Sequence, residues 1–93
     1  MADGEDQIAE IKKNLKEDKI VIGTKEVMRE LQKGGLSKIF FASNPSAKTE
    51  GDISSYARVI GCPTEKLAIP NDELGTVCKK QFFISVVGII KIR

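Results

Sequence analysis

Lys25, Arg29 and Lys33 recur at every fourth residue, a spacing that sets three cations along one side of a helix. The stripe begins just after Gly23, a residue that lets a ligand approach the backbone closely. Anion binding is the chemistry within reach. Free N–H groups and the dipole at a helix start favour phosphate, and Lys25 and Arg29 can reach phosphates or guanine edges. Glu26 is the informative exception among them. Its carboxylate repels phosphate, yet it can accept hydrogen bonds from the N1–H and N2–H₂ of an exposed guanine, which suits irregular RNA better than a paired duplex. The competing reading is a solvated helix face on which Glu26 and Glu30 pair locally with Arg29, Lys33 or water.

Other chemistries are short of parts. Histidine is absent, and the two cysteines, Cys62 and Cys78, stand sixteen positions apart without a Cys-x-x-Cys pair. That removes most zinc sites, the His-dependent nucleophile systems and any imidazole acid or base. Carboxylates, lysines and Tyr56 remain as possible catalytic groups. There is neither a Gly-x-x-x-x-Gly-Lys nor a Gly-x-Gly-x-x-Gly loop to cradle a nucleotide. These absences weigh against catalysis without excluding it, and no cofactor or metal is expected. The net charge of +2 conceals a division: residues 1–18 hold six acids and three bases, residues 19–93 seven acids and twelve bases. The longest mainly apolar run, residues 82–90, is too short to span a bilayer, and residues 1–6 lack the features of a signal peptide. A cytoplasmic chain whose thiols stay reduced is expected, with Cys78 a small core residue.

The elements that must position the stripe follow from periodicity. Ile8, Ile11 and Leu15 predict an amphipathic helix over residues 4–17, followed by a strand over 19–22. Thr24 is placed to cap a second helix with Val27, Met28 and Leu31 on its apolar side, and Gly34 or Gly35 stops it. A strand over 38–42, apolar enough to be central, leads into the polar loop Ser43-Asn44-Pro45-Ser46. Thr49 and Asp52 have capping-box spacing. Ile53, Tyr56, Ala57 and Ile60 mark the buried face of a third helix, with Tyr56 expected in the core, and Gly61 ends it. A strand over 66–69, a fourth helix capped by Asn71 and carrying Leu74, Val77 and Cys78, and a strand over 82–92 complete the chain. Successive strand residues alternate sides, so one of Phe82 and Phe83 is expected to face the core. Helix and strand alternate throughout, which predicts an α/β fold: a single domain over residues 1–93, built as a three-layer α/β/α sandwich on a four-stranded mixed sheet.

Four segments in this order carry a resemblance: Gly23-Thr24-Lys25-Glu26-Val27-Met28-Arg29 followed by Lys33-Gly34; Ile39-Phe40-Phe41-Ala42-Ser43-Asn44; Asp52-Ile53-Ser54-Ser55-Tyr56-Ala57; and Asn71-Asp72-Glu73-Leu74-Gly75-Thr76. Together they resemble the kink-turn RNA-binding ribosomal protein superfamily that contains the large-subunit proteins L-thirty-e and L-seven-Ae. Lys25, Glu73-Leu74-Gly75-Thr76 and the position of Phe82 lean to the archaeal L-thirty-e branch, Glu26 to the L-seven-Ae branch.

The resemblance implies an α/β/α sandwich that holds ribosomal RNA at one end, in the cytoplasmic ribosome, as part of the large subunit, and as a monomer when free. It further implies that Gly23 and Thr24 shape the backbone approach, Lys25 and Glu26 read guanines of sheared G·A pairs, and Arg29 and Lys33 meet phosphate. Asn44 would then bond a base or ribose, unless it is simply a turn residue, and Phe82 would stack on an extruded base. Glu73-Leu74-Gly75 is read as structural: Leu74 packs inward and Gly75 admits another backbone. The rivals are an L-seven-Ae-like protein of small guide-RNA particles, a small α/β/α enzyme or nucleotide-binding domain, and a protein-interaction adaptor.

Overall fold

The computed structural model describes residues 3–44 and 47–91. Among these residues four helices and four strands alternate: α1 (Asp3–Lys16), β1 (Ile20–Ile22), α2 (Thr24–Gln32), β2 (Leu36–Phe41), α3 (Ala47–Ile60), β3 (Thr64–Lys66), α4 (Asn71–Val77) and β4 (Val86–Ile90). The strands form one mixed sheet in the order β1-β4-β2-β3, with β4 antiparallel to both β1 and β2, and β3 parallel to β2. As expected, β2 is an interior strand.

Each face of the sheet has its own core. On one, Ile11 of α1 and Leu74 and Cys78 from the α4 region pack with Phe40, Ala42, Val87 and Ile89. On the other, Val27 and Leu31 of α2 and Ile53 and Ala57 of α3 pack with Leu36, Ile39, Phe41 and Val86. These are the three layers predicted by the alternation of elements. Period-two alternation would separate Leu36 from Ile39, but a register shift between Leu36 and Lys38 restores both to the same face. Cys62 and Cys78 belong to opposite cores, and both are free thiols.

Several boundaries differ from the sequence reading, each for a local reason. Thr24 is the first residue of α2, and Gly23 holds the cap position with no side-chain cap bond. Asn71 likewise opens α4 after Pro70. Helix α3 starts at Ala47, so Thr49 and Asp52 lie inside it. The third strand is Thr64–Lys66, because it pairs with Ile39–Phe41; residues 67–69 instead carry the chain over the sheet end. The last strand begins at Val86, leaving residues 82–85 as an entering loop. Alternation therefore does not govern Phe82 and Phe83, and both are solvent-exposed, at 58% and 72%. Tyr56 is 41% exposed beside Val59, outside the core that receives Ile53 and Ala57. Pro45, Ser46 and Ile92 lie outside the described residues.

Direction matters most for the site. Strands β1, β2 and β3 all run opposite to β4, so α2, α3 and α4 all start at the same end of the sheet, where the chain also enters β4. In α/β sheets the carboxyl ends of the strands are where ligands are received.

Candidate nucleic-acid interface

Gly23 adopts φ 100°, ψ 150°, a backbone region essentially closed to other residues. A Cβ there would meet nothing within 4 Å, so torsion rather than crowding requires glycine, and the space above it is open. Its N–H donates to the Val86 carbonyl (3.2 Å), which fixes the turn to the start of β4. The first bond within α2 runs from the Val27 N–H to the Gly23 carbonyl (2.9 Å). The N–H groups of Thr24, Lys25 and Glu26 thus precede it, at an end that no side chain caps.

The loops alongside are tied together by two bonds. Pro70 offers no side-chain acceptor for the start of α4, and Asn44 supplies one from the loop after β2: its Oδ1 accepts the Asn71 N–H at 2.9 Å. The Asn71 carbonyl in turn accepts the Ile84 N–H at 3.1 Å. Gly75 completes the arrangement. It is buried, and a Cβ there would fall on the Phe82 carbonyl oxygen, well inside contact distance. The backbone of residues 82–83 is therefore seated directly on α4, with both phenyl rings outside the core.

Gly23, Thr24, Lys25 and Glu26 share the sheet end with Asn44 and Phe82, joined through Val86, Asn71 and Ile84. Arg29 stands one turn along α2, where its guanidinium meets the Glu26 carboxylate at 3.5 Å with both side chains half-exposed. Such a pair is worth ~0–1 kcal/mol, so a ligand can redirect either partner at little cost. Lys33 is not brought to this end: it caps the C-terminus of α2, about 12 Å along the axis from Lys25, and pairs with Glu30 at 3.9 Å. The free protein therefore has the local pairs of the solvated-face reading, while among the described residues Lys25 has no ion-pair partner.

A hollow of about 700 Å³ opens between α2 and α3, lined by Thr24, Lys25, Arg29 and Lys48 among others. Sequence reasoning missed Lys48 because it assigned that residue to the approach of a helix taken to be capped at Thr49. The proline-containing loop immediately before it was the available sign of an earlier start. Neither cysteine is activated as a nucleophile. Burial pushes the Cys62 thiol up against a partial opposing pull from Lys91, and it pushes Cys78 up to about 11 despite Lys80. Among the described residues no cluster of three or more His, Cys, Asp or Glu side chains could hold a metal ion, and no helix is long and apolar enough to cross a membrane.

Comparison with known proteins places this geometry in a family. The chain is 32% identical to a large ribosomal subunit protein eL30 of Sulfurisphaera tokodaii, over 88% of this chain and 77% of that one. It is 30% identical to the eL30 of Saccharolobus solfataricus, with 87% and 75% covered. Its fold matches the Giardia lamblia 15.5kD RNA binding protein with a TM-score of 0.81 at 17% identity, covering 92% of this chain and 72% of that one. Residues 7–93, which include every element from the body of α1 onward, match the family described as ribosomal protein L7Ae/L30e/S12e/Gadd45. The chain belongs to the ribosomal protein L7Ae/L30e/S12e/Gadd45 family.

Proposed function

We propose that this protein is a noncatalytic RNA-binding component of the large ribosomal subunit, working in the cytoplasm, and that it grips a kink-turn at the end of the sheet where α2, α3 and α4 begin. One observation carries the reading: Gly23 holds an uncapped α2 start open beside Lys25 and Glu26, and the Asn44 and Phe82 loops are bonded into the same end. The uncapped start of α2 favours the phosphates of a sharply bent backbone. Lys25 donates to guanine O6 or N7, and Glu26 accepts from N1–H and N2–H₂ of a neighbouring guanine. Arg29, released from Glu26, meets phosphate, and Lys48 adds a cation across the α2–α3 hollow. The Phe82 ring takes an extruded base. Asn44, whose oxygen is committed to Asn71, offers its NH₂ group as donor. Lys33 contributes only to RNA that continues along α2.

The names of the curated relatives favour the large subunit over guide-RNA particles, and free protein is expected to be monomeric. The test is a titration of a kink-turn oligonucleotide against a straight duplex of equal length. Preference for the kinked RNA, with affinity falling as salt rises, is the expected result. Lys25→Ala is expected to cost about 1–3 kcal/mol on the kinked RNA and far less on the straight one. Equal weak binding to both by the unaltered protein refutes the proposal.

A further inference from the structure

The sequence presents α1 as part of an acidic segment, but the fold sorts its charges by flank. Glu10 faces the sheet and meets Lys38 at 3.4 Å, and Gln7 donates to Glu65. Lys12 and Lys16 lie on the opposite flank, where they line a hollow of about 630 Å³ with Leu15, Val77 and Lys79. Exposed Lys13 and Lys80 adjoin them in the chain. Among the described residues none of these five lysines has an ion-pair partner, a condition they share with Lys25, Lys48, Arg58 and Lys91, whereas Lys19, Arg29, Lys33 and Lys66 each have one and Lys38 has two.

Helix dipoles explain only part of this gathering. Cations are favoured in a last helical turn, which accounts for Lys13 and Lys16. Lys12 lies earlier in α1. Lys79 follows the C-cap of α4 in left-handed backbone, φ 61°, where glycine or asparagine is the ordinary choice. That backbone is an ordinary helix stop, closed by the Lys79 N–H on the Thr76 carbonyl and the Lys80 N–H on the Gly75 carbonyl, as Asp18 closes α1. The stop needs no cation, so the charge gathered here is what a ligand would explain.

The ligand's chemistry follows from the lining. Ammonium groups are compact point charges that suit phosphate, and among the described residues the lining of the hollow holds no carboxylate or amide to read a base edge. Contacts of this kind position nucleic acid without specifying its sequence. The hollow belongs to the α1/α4 layer, across the sheet from α2 and α3, and it lies at the C-terminal ends of its two helices, away from the end where α4 begins. We propose that it is a second RNA-contacting surface, which takes the phosphate backbone of a regular duplex while the α2 end holds kinked RNA. The protein would thereby clamp two RNA segments, one at the end of the sheet and one on the α1/α4 layer. The inference rests on the reading of the chain as an RNA binder.

The test uses the full chain, a labelled kink-turn oligonucleotide and a straight RNA duplex bearing a second label. The unaltered protein is expected to hold both at once. The triple variant K12Q/K16Q/K79Q should keep its affinity for the kinked RNA within about twofold, but lose about tenfold or more for the duplex, with a salt slope shallower by about three. Lys79→Gly alone removes one cation and relieves the backbone, so weaker duplex binding by this well-folded variant separates charge from folding. Unchanged duplex affinity and slope in the triple variant overturn the inference. So does complete displacement of the duplex by unlabelled kinked RNA, which would mean one shared surface, or tighter binding of a polyglutamate peptide than of duplex, which would assign the hollow to an acidic protein. If kinked RNA shows no preference at the α2 end while the triple variant still loses duplex binding, the kink-turn reading fails and the second surface stands.

Discussion

Gly75→Ala tests whether α4 is the seat on which the Phe82 loop is aimed. Two terms oppose each other. Alanine in place of glycine favours a helix by about 1 kcal/mol, and at an open site that gain is realised in full. At Gly75 the new methyl falls on the Phe82 carbonyl oxygen, which is backbone and cannot rotate away. The loop must retreat by about 1 Å to restore carbon–oxygen contact distance, and overpacking of this kind costs about 1–3 kcal/mol. A net destabilisation of about 0–2 kcal/mol is expected, read by urea unfolding followed by circular dichroism. Gly51→Ala in α3 supplies the control, because nothing lies within 4 Å of its Cβ; it is expected to stabilise by about 0.5–1 kcal/mol. Binding should separate the two further. Displacing Phe82 removes much of a stacking contact worth about 1–3 kcal/mol, so Gly75→Ala should weaken kinked RNA about tenfold while Gly51→Ala leaves it unchanged. If both variants stabilise equally, or if Gly75→Ala binds kinked RNA as tightly as the unaltered protein, the seat is not what orients the loop.

Three further expectations follow from single contacts. Glu26→Ala should weaken kinked RNA by about 1–3 kcal/mol although it makes the protein more cationic; tighter binding would return Glu26 to the role of a surface partner for Arg29. Asn44→Ala leaves the Asn71 N–H without its acceptor and, because water can replace an exposed partner, should cost only about 0.5–1 kcal/mol in urea unfolding. A larger loss would mean that the bond holds more than the start of α4. Cys78 titrates near 11 when folded against 9.0 unfolded, so the unfolded chain releases the proton first and stability falls as pH rises from about 9 to about 11. Comparing unfolding midpoints over that range, Cys78→Ala should show the shallower decline. An identical decline in both proteins would place the titration elsewhere.

Much of the scaffold was legible because the signals are strong and local. Val27 and Leu31, or Ile53 and Ala57, repeat at helical spacing and are buried as that spacing requires. Gly75 was readable as a place where another backbone comes close, although nothing in the chain names Phe82 as the visitor. Reading failed where tertiary contacts override a local preference. Thr24 has the chemistry of a cap, yet the bond from Gly23 to Val86 sets the turn one residue earlier. Residues 67–69 look like strand, but β3 is defined by what Ile39–Phe41 can pair with. Tyr56 has the right spacing for burial, but it lines a separate hollow with Met28, Gln32 and Val59 rather than facing the sheet.

The site was legible one residue at a time but not as an arrangement. A sequence can place Lys25 and Glu26 on the first turn of a helix; it cannot say that Asn44 and Phe82, nineteen and fifty-seven positions from Lys25, arrive beside them. Strand order decides that. Inserting β4 between β1 and β2, antiparallel to both, puts the entry to β4 at the point where α2 starts, and running β3 parallel to β2 brings the start of α4 there as well. Had β4 instead been added parallel to β2, Phe82 would enter the sheet from the far end, and no change at Gly75 could influence RNA held by Lys25. The coupling expected between Gly75 and RNA affinity is therefore a test of topology as much as of packing. A double variant of Gly75→Ala with Lys25→Ala should lose less than the sum of the two single losses, because a kinked RNA loosened at either contact no longer demands the other. Strict additivity would mean that the loop and the helix start act on separate parts of the ligand.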